Sequence, residues 1–146
     1  MPSPRALFVA EPAAVWAARP ALVVDCSVVV AALFDETDAD DATRALAGRA
    51  LHAPALLPFE FANVARSKSR SGAPAERVAQ ALQTFDELRI ELHPLAATEL
   101  HALALAHGLT AYDAAYLALA KALRAPLLTF DLKLADAAAR ALGTPE

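Results

Sequence analysis

Apolar positions along this chain follow two rhythms, and the alternation between them predicts its layers. Ala21-Leu22-Val23-Val24 is an unbroken apolar run, so a buried strand is read over Ala21–Asp25. Helices are then read over Val28–Phe34 and Asp38–Ala47. A weak strand at Ala50–Ala53 precedes a helix that opens at Pro58 and runs to Arg70. The next helix runs from Pro74 to Leu88, with proline in the first turn, where its missing N–H costs nothing. A short strand at Ile90–Leu92 follows, then helices over Ala97–His107 and Ala111–Leu123. A strand at Pro126–Thr129 and a helix over Leu132–Leu142 complete the order. Gly48, Gly72, Gly108 and Gly143 each follow a helical segment, as helix stops do. None is left for a phosphate-cradling loop, so a P-loop or dinucleotide fingerprint is absent. Strands and helices alternating at these lengths imply an α/β fold with a parallel sheet covered on both faces. Ligands bind such folds beyond the carboxyl ends of the strands. Asp25 ends the first strand and Asp131 follows the last, so both fall on that edge.

Composition narrows the class. At 146 residues and 57% hydrophobic, the chain is read as one folding domain with a real core. The break falls at Pro20, which gives an N-terminal extension over 1–20 and a domain over 21–146. Within the proline-punctuated extension, Ala6-Leu7-Phe8-Val9 is read as a short strand or a packing arm. Its apolar runs are too broken for a secretory signal, and no segment has the length for a membrane span. One cysteine, Cys26, excludes an internal disulfide and fits a reducing compartment, so the expected location is cytoplasmic. The net charge of -4 argues against a protein that coats duplex DNA by bulk electrostatics. An enzyme acting on nucleic acid stays open, because an acidic metal site itself lowers the net charge.

Asp25, Glu60, Asp113 and Asp131 carry the candidate chemistry. Each sits in an apolar stretch where a carboxylate is costly to desolvate, and a divalent cation would offset their mutual repulsion. Hard oxygen donors without a Cys or His cluster point to Mg²⁺ or Mn²⁺ rather than zinc. Each residue also has a structural reading. Asp25 could cap the following helix, a task Ser27 can perform equally well. Thr110-Ala111-Tyr112-Asp113 fits a capping box, and Asp131 fits a plain N-cap. Glu60 lies between Phe59 and Phe61, with Asn63 and Ser67 on its helix face; its alternative is an exposed place on an amphipathic helix.

Other features read as structural. Tyr112, Tyr116, Leu119 and Leu123 recur at helical spacing as a core stripe. His52, His93, His101 and His107 show no ligand spacing, Cys26 reads as a small buried residue, and Asp38, Asp40 and Asp41 read as a solvated first turn. Arg66, Lys68 and Arg70 form the densest basic run, either a solvated face or a phosphate contact for RNA.

Taken in order, four motifs make the chain resemble the PIN-domain nucleases, and among them the VapC-like toxins of bacterial toxin–antitoxin pairs. They are Val23-Val24-Asp25-Cys26-Ser27, Glu60-Phe61-Ala62-Asn63-Val64, Leu109-Thr110-Ala111-Tyr112-Asp113-Ala114 and Leu128-Thr129-Phe130-Asp131-Leu132-Lys133-Leu134-Ala135. The resemblance extends over nearly all of Ala21–Leu142. It implies a Rossmann-like three-layer α/β/α sandwich with a central parallel sheet of four to five strands. It also implies a Mg²⁺- or Mn²⁺-dependent endoribonuclease, a homodimer or higher homo-oligomer, and inhibition by a small antitoxin protein laid across the site. By match, Asp25, Glu60, Asp113 and Asp131 form the acidic site, with Asp25, Asp113 and Asp131 as metal ligands and Ser27, Asn63 and Thr129 as supporting polar groups. The family often has a further short strand where this sequence reads Gly143-Thr144-Pro145-Glu146, and its leader is usually shorter. Two rival functions use the same residues: a phosphotransfer or phosphatase domain with Asp25 as nucleophile, and a non-catalytic module whose acidic pocket docks a partner.

Overall fold

The computed structural model describes residues 19–143. The expected strand at Ala6–Val9 lies outside them. Four parallel strands, β1 (Ala21–Val24), β2 (Ala50–Pro54), β3 (Glu91–His93) and β4 (Leu127–Leu128), form one sheet in the order β3-β2-β1-β4. β1 is central, pairing Val23 with His52 on one side and with Leu127 on the other. A parallel strand covered on both faces must be apolar throughout, and Leu22, Val23 and Val24 are all buried.

Seven helices join the described strands: α1 (Cys26–Leu33), α2 (Ala39–Leu46), α3 (Leu57–Arg70), α4 (Ala75–Glu87), α5 (Ala97–His107), α6 (Ala111–Leu123) and α7 (Leu132–Leu142). The crossovers β1 to β2 and β2 to β3 step in one direction, so right-handed connections put α1 to α4 on one face. The step from β3 back past β1 to β4 runs the other way and puts α5 and α6 on the opposite face. α6 lies directly on β1, β2 and β4 and packs against α5 and α7. Its span from Ala114 to Ala120 is buried throughout, and the alanines let the helix approach the sheet closely. The other layer is keyed by Phe61, whose ring stacks on Phe34 at 5.6 Å and on Phe85 at 4.4 Å. The three layers are those expected.

Element boundaries match within one or two residues, and α5, α6 and α7 match at both ends. The short strand β3 begins at Glu91 rather than Ile90, because its extent is set by pairing with β2 and not by apolarity. Gly108 closes α5 at φ 63°, ψ 33°, a left-handed conformation that costs a Cβ-bearing residue energy. No helix among the described residues is long and apolar enough to cross a membrane.

The reversal of strand order at β1 opens a crevice between the carboxyl ends of β1 and β4. Asp25 N–H donates to the Leu128 carbonyl at 3.0 Å, which closes the two strands just below it. That switch point is where an open α/β sheet binds its ligands.

Candidate active site

The crevice widens into a cavity of about 830 Å³ whose wall includes Asp25, Glu60, Asp113 and Asp131. Four separate elements bring them there: the end of β1, the first turn of α3, the first turn of α6 and the start of α7. Glu36 and Asp38 extend the acidic wall, and among the described residues no Lys, Arg or His lines it. Ser27 and Asn63 also face the cavity.

Asp25 is 7% exposed, the one buried charged residue among those described. Ser27 Oγ and Thr129 Oγ1 both donate to its Oδ2, at 2.7 and 2.8 Å. Ser27 does not cap α1, and neither does the Asp25 side chain. The Ser27 oxygen instead accepts from Phe130 N–H at 3.0 Å, which ties the β4 exit loop to α1. Thr129 Oγ1 accepts from Asp131 N–H at 2.9 Å, so one hydroxyl links the two aspartates.

Asp131 is the N-cap its sequence allowed: Oδ1 accepts from Lys133 and Leu134 N–H at 2.9 and 3.1 Å. Both bonds end on one oxygen, which leaves Oδ2 available. At Asp113 the cap is carried by Thr110, whose hydroxyl oxygen accepts the Asp113 N–H at 3.2 Å. The Asp113 carboxylate is therefore not the capping group. Its proton affinity is raised, first by burial and then by the charges of Asp131 and Asp25, against opposing effects from Thr110 and Lys133.

Glu60 is half-buried, and its proton affinity is also raised, by burial first and then by Asp25 and Asp113. Its neighbours act differently from each other: Phe61 is buried, but Phe59 is 75% exposed on the cavity rim. The group that fixes Glu60 is Tyr116, whose hydroxyl donates to Oε1 at 2.5 Å and opposes the rise. Tyr116 belongs to the core by burial, as its spacing suggested, but it also serves the site. Tyr112, read with it as core, is 65% exposed at the cavity mouth. Sequence periodicity could not separate them, because both sit at helical spacing on α6. We expect Tyr116→Phe to leave the fold intact and cut activity roughly tenfold or more, since a bond to an ionised group is worth about 1.5–3 kcal/mol. Unchanged kcat with an unchanged pH profile would show that Tyr116 only packs.

The basic run is divided. Lys68 Nζ pairs with Glu36 at 3.2 Å and lies 4.9 Å from the centre of the Phe34 ring. Arg66 and Arg70 are exposed and do not line the cavity. Among the described residues, Lys133 stands outside the cavity lining but close enough to Asp113 to lower its proton affinity. Its place two residues after Asp131 was the available signal.

The wall suits a hard divalent ion. Its charged donors are all carboxylates, and burial, with Glu60 and Asp25, pushes the Cys26 thiol up to about 12, so no thiolate competes. The carboxylate oxygens do not form a tight trio: among the described residues only His52, Glu91 and His93 bring three such ligand atoms within 4.8 Å of one another. Mg²⁺ keeps several waters and takes one or two carboxylates directly, so this looser spacing fits it.

The PIN domain family model matches residues 22–140. The chain is 36% identical over 121 residues to Ribonuclease VapC3 of Pyrobaculum aerophilum, covering 79% of this chain and 92% of that protein. It is 36% identical over 118 residues to Ribonuclease VapC9 of Mycobacterium tuberculosis, covering 79% and 89%. Its fold is similar to the crystal structure of PAE2754 from Pyrobaculum aerophilum, with a TM-score of 0.66 at 21% identity over 82% of this chain and 80% of that one.

Proposed function

The chain belongs to the PIN-domain family, and on that premise we propose that it is a Mg²⁺- or Mn²⁺-dependent endoribonuclease, the toxin of a toxin–antitoxin pair, with residues 21–146 as the nuclease domain and 1–20 as an extension. The supporting observation is the convergence of four carboxylates from four elements at the β1–β4 switch point, in a cavity that no basic side chain among the described residues lines. An RNA backbone cannot approach such a wall unless cations screen it. The curated relatives are named as ribonucleases, which supports the same reaction.

When bound, the ion supplies a more acidic water and neutralises charge that builds on the phosphate. Asp25, Asp113 and Asp131 hold it, directly or through water. Ser27 and Thr129 fix the Asp25 carboxylate from one side, and Thr129 sets Asp131 against it. Glu60, with Oε1 taken by Tyr116, has Oε2 to accept a proton from the attacking water. Asn63 offers an amide to substrate at the cavity wall. Lys133, with Arg66 and Arg70 further out, meets flanking phosphates.

Exposed Phe59, Tyr112 and Phe130 stand around the cavity, and unpaired bases stack on such rings. The substrate is therefore single-stranded or loop RNA in the cytoplasm. The same rim, with Leu132 80% exposed, gives a small antitoxin segment apolar surface to cover. A homodimer is the proposed assembly.

Purified protein should cut single-stranded and hairpin-loop RNA in Mg²⁺ or Mn²⁺, spare duplex RNA, and stop in EDTA. Phe59→Ala should raise KM about tenfold, in line with about 1–3 kcal/mol per stacked base, while kcat holds. Cleavage undiminished by EDTA, or none of any RNA with either metal, would overturn the proposal.

A further inference from the structure

A second cluster of metal-ligating side chains lies toward the β3 edge of the sheet, away from the β1–β4 crevice. The parallel register sets His52 of β2 beside Glu91 of β3, and His93 follows Glu91 by two residues on the same face. His52 and His93, without ligand spacing in the sequence, are thereby brought together across 41 positions. Nδ1 of His52 lies 2.9 Å from Nε2 of His93 and 3.4 Å from Oε2 of Glu91. All three donor atoms fall within 4.8 Å of one another. Donors held about 2.0–2.2 Å from a tetrahedral ion stand roughly 3.3–3.5 Å apart, so small shifts would seat one here.

We propose that His52, Glu91 and His93 bind a borderline divalent transition-metal ion, with Zn²⁺ the best match. Two neutral imidazoles and one carboxylate give a mixed N₂O set, which Mg²⁺ disfavours and Zn²⁺ accepts. In the metal-free protein one of the facing ring nitrogens carries the proton that joins the pair. Binding needs both lone pairs, so that ring moves its proton to its other nitrogen and no proton is lost. The three protein donors leave a fourth position to water. His52 has 15% of its side-chain surface exposed, which fixes its ring, while Glu91 at 67% leaves the ion a way in. The ion would pin the three-residue edge strand β3 to β2. This site is independent of the acidic cavity and of the reaction proposed there.

The test is Zn²⁺ titration of the full chain in excess Mg²⁺, which occupies the acidic cavity, read by calorimetry and by melting temperature. The wild type should bind one Zn²⁺ and melt several degrees higher, and Co²⁺ in its place should give the visible bands of a tetrahedral complex. Glu91→Gln and His93→Gln should each weaken Zn²⁺ at least about tenfold, whereas Asp25→Asn should bind it as the wild type does. Glu91 is exposed, so its variant folds even where the histidine change disturbs the sheet edge. No Zn²⁺ binding, binding unaltered in Glu91→Gln, or loss in Asp25→Asn instead would each overturn the site.

Discussion

Asp25→Asn is expected to remove at least about 1,000-fold of the ribonuclease activity while the protein stays folded. The size of the loss follows from position. Asp25 is the buried carboxylate at the switch point, and its charge reaches both Glu60 and Asp113. The retained fold follows from the hydrogen bonds. Ser27 and Thr129 both donate to the single oxygen Oδ2, and an amide carbonyl in the same place accepts both. Removing a buried charge from a repulsive cluster should hold or raise the melting temperature in EDTA. Mg²⁺ or Mn²⁺ should raise the melting temperature of the wild type and do so much less for Asp25→Asn, because a ligand stabilises only the state that binds it. Equal metal shifts in the two proteins would sink the shared site, and an active Asp25→Asn would sink its chemistry.

The sequence showed the layers and the four carboxylates for different physical reasons. α5 and α6 were legible to the residue where they meet because a Gly108 stop and a Thr110 cap punctuate the chain there. Asp25 and Asp131 were legible because strand ends in a parallel sheet share one edge, whatever the loops do. Glu60 was found through its aromatic flanks, yet residues on either side of a helical position face elsewhere. Phe59 is exposed and Phe61 is buried, so the flanks do not define its surroundings. Its real partner, Tyr116, lies 56 residues away and joins it only through packing of α6 across the sheet. The pairing of Lys68 with Glu36, 32 residues apart, was hidden for the same reason. So was the triad His52, Glu91 and His93, which register creates and spacing does not. Local pattern carries elements and caps; the partners of a side chain come from topology.

Asp113→Asn separates a capping role from a role in the site. Thr110 already holds the Asp113 N–H, so the substitution keeps the cap; it loses the attraction of Lys133 and the helix-dipole benefit of a first-turn charge, the latter about 0.3–1 kcal/mol. Against that loss stands the relief of repulsion from Asp131 and Asp25 and of the burial cost. Apo stability should therefore hold or rise, while cleavage falls at least about 100-fold. The pH dependence has a fixed sign. The folded protein holds the Asp113 proton more tightly than the unfolded chain does, so it binds more protons between the two affinities. Stability from this group is present at acid pH and is lost as pH rises from the ordinary Asp range, about 3.9, through the raised folded value. In EDTA the advantage of Asp113→Asn over the wild type should thus grow from pH 4 toward neutrality and then level off. Glu60 shares the direction of shift and in the variant loses only the Asp113 contribution, burial and Asp25 remaining, so part of the wild-type slope should survive. A variant that is less stable at neutral pH yet fully active would show that Asp113 serves the helix and not the reaction.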